Sequence, residues 1–317
     1  MAATTRPSKA YWGPLHLQRA YYHGEQCQSG FCPRDRALGL ESFSLTPGVL
    51  RMTARAAALV SFEESSGLLH ELAGVEVSTQ QVERAAEALG AEIAVDEHQQ
   101  VEKMSEVAPT MDLGMEGTGV PMRAQEVADR AGKQADGSAK TREAKIVTIW
   151  TAEARDAQGK VVRDAGSITY SAAIESAATL DSSPELSPFA ARVLREANRR
   201  GFSEAARCVV LGDGSPWICN TATELFPQAT QILDRFHAKE HLRKVGKAIY
   251  GDSTEGQPWI QARYDELDDG HLKSLTQALH DHARQYPEAR ECIHYISNHR
   301  PRMRYFMYLD RRRRGWL

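Results

Sequence analysis

The sequence predicts an α/β fold in which a mixed sheet is covered by helices, with helical regions before and after it. Two observations predict it. Three strand-like segments, "TMDLGMEG", "AKIVTIWTAEA" and "SITYSAAI", follow one another with no helix between them. Helix and strand patterns then alternate to about residue 250, and that order suits a sheet with antiparallel and parallel pairs.

The chain has 317 residues, 42% apolar and 26% charged, with net charge −3 and pI near 6.4. It is long enough for two domains. No global basic field advertises a nucleic-acid partner, so any such contact must come from local patches. The opening "MAATTRPSKAYWG" lacks the apolar core of a secretory signal, and apolar runs elsewhere are short; a cytosolic protein without a membrane partner is expected. Five scattered cysteines argue against a disulfide framework.

Residues 1–45 predict a small strand-and-knuckle module: "LHLQRAYYH" alternates like a strand, and "GEQCQSGFCPRD" is rich in turn residues. The outline is that of a zinc ribbon. Tetrahedral zinc needs four ligands in two close pairs, whereas only Cys27 and Cys32 stand together, with His23 a possible third. Zinc is therefore not expected. Residues 46–106 turn helical, with Ser61 and Ser78 at N-cap positions. The two helices flanking "AGVEVS" fit a helix-turn-helix whose second member presents Gln80, Gln81 and Arg84; ordinary packing in a helical bundle fits the same pattern.

Residues 107–250 carry the sheet. After the three strands come "SPFAARVLREANRRG", an amphipathic helix closed by Gly201; "ARCVVLGDG", a buried strand; and "SPWICNTATELFP", a helix capped by Ser215. "TQILD" is a fifth strand and runs into a long helix. The order β-β-β-α-β-α-β-α is that of a ribonuclease-H-like mixed sheet. Residues 251–317 show helical periodicity until "FMYLDRRRRGWL" breaks it.

In that topology the first and fourth strands are neighbours. Glu116, read as ending the first strand before glycines that turn the backbone away, and Asp213, after the fourth, would face each other about one strand spacing apart, roughly 5 Å. Such a pair suits Mg²⁺ or Mn²⁺, hard cations that prefer carboxylate oxygens. Each acid taken alone also fits an ordinary turn. Asp234, at the end of the fifth strand, and His237 could share one edge of the site; equally, Asp234 could cap the following helix and leave His237 solvated. The polar loop 131–145, with Lys133, Lys140, Arg142 and Lys145, is the candidate for phosphate contact, or a solvated loop.

Several blocks carry a resemblance: "MEGTGVPMRAQEV" through "KTREAKIVTIWTAE", "GSITYSAAIESAA", "VVLGDGSPWI", "FPQATQILDRFHAKEHL" and "GFCPRDRALGLE". Over about residues 12–304 the chain resembles bacterial ISKra-type insertion-sequence transposases, DDE enzymes related to the Mutator-like group. The resemblance implies a ribonuclease-H-like catalytic domain, two divalent metals, and DNA cleavage and joining at the terminal repeats of the element, with room for a homo-oligomer. It assigns Asp213 as the second catalytic acid and Asp234 and His237 to the acid-x-x-His element. Glu116 stands where the family has aspartate, and a carboxylate misplaced by about 1 Å can cost about a hundredfold in rate. Asp112 shares the strand face but lies too far along to substitute. Gly24 stands where the family has a zinc-ribbon cysteine. The family's third acid, on a helix beyond an all-helical insertion, has no counterpart, so a C-terminally truncated and inactive transposase, or a DNA-binding remnant, is expected.

Overall fold

The computed structural model describes residues 2–10, 13–40, 44–99, 107–128, 140–159, 161–177, 185–251 and 253–307. The chain divides into two units, Met1–Gln100 and Val101–Leu317.

In the first unit, β1 (Ala2–Ala10) pairs antiparallel with β2 (Gly13–Gly24), and β2 with β3 (Ser29–Phe31). The strand expected in "LHLQRAYYH" is β2. Nothing in the alternation of "AATTRPSKA" predicts β1; it is an edge strand recruited by its partner, which is where Pro7 is tolerated in a ladder. Cys27 is exposed in the turn after β2, its Sγ 3.0 Å from Ser29 Oγ, and Cys32 is buried at the start of α1 (Pro33–Ala37).

Three helices follow, α2 (Pro47–Ala57), α3 (Phe62–Ala73) and α4 (Thr79–Gln99), around Leu45, Val49, Leu69, Val75, Val77 and Val82. Both serines predicted as caps serve as caps. Glu64 N donates to Ser61 Oγ at 3.2 Å, and Ser61 N donates to Glu64 Oε2 at 3.1 Å. Gln81 repeats this exchange with Ser78. Two orphan backbone donors are thus satisfied at each helix start. Gln80 and Arg84 are exposed on α4, whereas Gln81 is held by the cap and by Lys9 Nζ at 3.1 Å. Replacing Ser61 with alanine is expected to cost about 1 kcal/mol; a urea transition followed by circular dichroism should move to lower denaturant, and an unmoved midpoint would show the cap to be dispensable.

The second unit is mixed α/β. Its strands are β4 (Thr110–Pro121), β5 (Thr141–Thr151), β6 (Thr169–Ala173), β7 (Arg207–Gly212) and β8 (Thr230–Leu233), in spatial order β6-β5-β4-β7-β8. β6, β5 and β4 run antiparallel to their neighbours, and β4, β7 and β8 run parallel. The first strand is therefore central, beside the fourth. Helix α5 (Pro188–Arg200) and α6 (Pro216–Leu225) bring Phe189, Val193, Ile218 and Ala222 onto Leu113 and Val147 of the sheet. Buried charges join this layer: Arg192 makes a two-pronged pair with Glu175 at 2.7 and 3.0 Å, and Arg200 donates to the carbonyls of Ile149 and Ser167.

Helices α7 (Arg235–Tyr250), α8 (Gly256–Asp268), α9 (Leu272–His280) and α10 (Pro287–His299) share a second core of Leu242, Val245, Leu267, Leu275, Leu279 and Ile296. Gly246 permits the close approach of α8, since a Cβ there would lie 2.4 Å from Ile260 Cγ1. The helical reading of 251–305 matches these elements. The break in pattern expected from Phe306 on does not begin there, since Phe306 and Met307 still lie in a helical turn, and 308–317 lie outside the described residues.

Candidate functional site

Glu116 does not end its strand. β4 runs on through Gly117 and Gly119 to Pro121, paired with β5 throughout; only the parallel pairing with β7 stops, at Gly114 opposite Leu211. The glycines serve close packing instead of a turn: a Cβ on Gly114 would lie 2.8 Å from Thr148 Oγ1, and one on Gly117 would lie 2.3 Å from Glu143 Oε1. An antiparallel partner can hold a strand straight through glycines that would turn it in isolation.

The register brings the predicted acids level. Asp112 pairs with Val209 and Gly114 with Leu211, where the pairing ends; that register carried on by two residues sets Glu116 opposite Asp213, just past the end of β7. Gly212 pairs with Leu233, and Asp234 N donates to Gly212 O at 2.7 Å, which sets Asp213 level with Asp234. Successive strands stand about 4.8 Å apart. Leu113, Met115 and Val210 face the core under α5 and α6, and alternation gives Glu116 to the opposite face, where it is exposed. Asp112 shares that face, buried and four residues back.

Asp213 and Asp234 are held locally. Asp213 Oδ1 accepts from Ser215 N at 2.7 Å and Oδ2 from Ser215 Oγ at 2.8 Å, an Asx turn that leads into α6. Gly214 in "GDG" has φ of +91°, and a Cβ there would meet Leu233 and His299. Asp234 caps α7 by accepting from Phe236 N at 2.8 Å. His237 lies half-exposed between Asp234 Oδ2 at 3.9 Å and Glu240 Oε2 at 3.5 Å.

Two residues that sequence reasoning missed reach the site from α10. Tyr295 Oη donates to the Asp213 carbonyl at 2.9 Å and stacks on His241 at 4.0 Å, and His299 packs beside Gly214. Burial first, then the Arg302 charge, pushes the His299 imidazole below its ordinary pKa, against the pull of Asp213. The one signal available was a pair of polar aromatic residues four apart on an otherwise apolar helix face.

The first turn of α7 is braced from α8. Asp268 accepts from Arg235 Nε at 2.6 Å and from Lys239 Nζ at 2.7 Å, the two cations that flank His237. Burial alone would raise the Asp268 carboxyl, but the hydrogen bonds and charges of Arg235 and Lys239 outweigh it and hold it below its ordinary value. A carboxyl lowered on folding stabilises above its unfolded pKa, about 3.9, and that contribution is lost as pH falls through the folded value. Between pH 5 and pH 2 the wild type should therefore lose more stability than Asp268→Asn; parallel acid titrations of the two would argue against the brace.

The phosphate-contact loop is shorter than expected. β5 begins at Thr141, so Arg142 and Lys145 stand on a strand, and Lys133 lies outside the described residues. Lys140 is exposed. Arg142 donates to Ile174 O at 3.3 Å. Lys145 is buried, bonded to Glu175 O at 3.0 Å, paired with Glu143 at 2.9 Å and set over the Trp217 ring. That position removes Lys145 from the surface a phosphate would touch.

Among the described residues no three histidine, cysteine or carboxylate side chains converge as a ready metal cluster. No helix among them is long and apolar enough to cross a membrane. Compared with known proteins, the chain matches no family model and no curated relative.

Proposed function

We propose that this chain performs, or descends from, the DNA cleavage and strand transfer of an insertion-sequence DDE transposase built on a ribonuclease-H-like domain. The observation that carries the reading is the row of acids: Glu116, Asp213 and Asp234 stand level on three adjacent parallel-running elements at one end of a mixed sheet. Carboxylate oxygens at one level fit Mg²⁺ or Mn²⁺ in donor type, and Glu116 and Asp213 are the residues that would hold the ion. When bound, such a metal supplies an activated hydroxyl and a counter-charge for a leaving phosphate oxygen.

The chain's own residues supply positioning. Ser215 orients the Asp213 carboxylate, and Tyr295 fixes the loop behind it through the backbone carbonyl. His237, between two carboxylates at the rim, is placed to contact a phosphate or to orient Asp234.

A second reading is a protein that binds element ends without cutting them. It is favoured by the engagement of both Asp213 carboxylate oxygens with Ser215, and by the exposed Gln80 and Arg84 on α4. Nicking of supercoiled DNA in Mn²⁺, compared between the wild type and Asp213→Ala, separates the two. The transposase reading expects nicking that the variant loses by a hundredfold or more, of the order seen when a key catalytic group is removed. Salt-sensitive binding with no nicking by either protein would leave the second reading, and nicking unchanged in the variant would sink the acid row as the site.

A further inference from the structure

Beyond the acid row, the helical residues after α7 carry a cationic surface with no structural employment. Two adjoining recesses of about 400 and about 320 Å³ share Leu272 and Arg300 at α9, α10 and the turn that follows. Arg304 and Phe306 line the first, Lys273 and His280 the second, and neither is lined by a carboxylate. Lys273, His280, Arg300 and Arg304 are exposed, and among the described residues their side chains make no ion pair or hydrogen bond. In a chain of net charge −3, basic groups gathered around two recesses without an acid form a local patch that the overall balance conceals. Helix surfaces usually intersperse both signs, and α8 does so with its Arg263 to Glu266 pair at 2.6 Å.

We infer that this surface binds the phosphate backbone of duplex DNA, a contact that rests on the DNA reading above and adds a second docking surface to it. Lys273 and His280 stand on α9, and Arg300 and Arg304 on the turn that follows α10, a spread wider than one phosphate group requires and suited to successive phosphates. Phe306, 47% exposed at the rim, offers an apolar contact beside them. The surface is also coupled to the acids: Ile296 and Ser297 of the recess follow directly on Tyr295, which bonds the Asp213 carbonyl, and Arg300 closes the same helix. A backbone seated there is held by the same rigid helix that braces the acid loop.

The test is duplex binding by fluorescence anisotropy between about 50 and 200 mM salt, for the wild type, Arg300→Ala/Arg304→Ala and Arg300→Lys/Arg304→Lys. Each phosphate contact contributes about 0.9 to the slope of log affinity against log salt. The alanine pair is expected to weaken binding about tenfold at low salt and to reduce the slope by about two, while the lysine pair keeps the slope. Both positions are exposed, and unchanged melting temperatures would show the variants folded. Wild-type binding that the alanine pair leaves unaltered would overturn the surface and spare the DNA reading. An absence of any wild-type duplex binding would overturn both. A poly-glutamate peptide that displaces the duplex as well as unlabelled duplex does would show a site for negative charge alone, and would also overturn the proposal.

Discussion

Replacing Arg192 with alanine is expected to destabilise the second unit by about 3 kcal/mol, the lower end of the range for breaking a buried pair by removing one partner. Arg192 is 5% exposed, and its guanidinium grips both oxygens of Glu175 and donates to Ser171 Oγ at 2.9 Å. Glu175 is itself only partly buried, which is why the lower end applies. For a unit of this size that corresponds to a fall of about 6–12 °C in melting temperature. The double change Arg192→Met with Glu175→Gln should recover most of the loss, because no uncompensated charge then remains. If the alanine variant melts with the wild type, the pair contributes nothing and α5 is held by its apolar face alone.

Truncating Phe202 to alanine is expected to cost about 3–5 kcal/mol, as for other fully buried aromatics. Phe202 follows Gly201, which closes α5 in the left-handed region at φ of +67°, and the turn drives the ring into the core under the sheet. There it meets Phe226 edge to face, with centroids 5.0 Å apart and planes at 73°. Helix α5, β7 and α6 are thereby tied through one side chain. Phe202→Leu keeps most of the volume and should cost less than about 2 kcal/mol. A urea midpoint displaced far more by alanine than by leucine, with the slope of the transition unchanged, would bear this out. Equal displacements would point to the lost ring contact, and not the cavity, as the dominant effect.

Much of the site's placement was legible because the relevant signals are local. The "GDG" turn reads as glycine because the backbone at Gly214 needs a positive φ, and Ser61 and Ser78 read as caps because their partners lie three residues on. The neighbourhood of Glu116 was read less well. Glycines after the acid suggest a turn, yet β5 pairs with β4 as far as Pro121, and Trp150 occupies the space that Gly114 leaves. Lys145 shows the same limit: by sequence it belongs to a basic loop, but its strand position directs it over the Trp217 ring and onto the carbonyl of Glu175.

By itself the sequence determined the kind and order of most elements, the helix starts, and the places of Asp213 and Asp234 just past strand ends, since periodicity, caps and turns act over a few residues. Only the tertiary structure decided that β4 lies between β5 and β7, that Glu116, Asp213 and Asp234 stand in one row, and that Tyr295 and His299 close on that row from α10. Those facts depend on strand register and on contacts between residues tens of positions apart, and no local pattern encodes which distant backbone a hydrogen bond will choose.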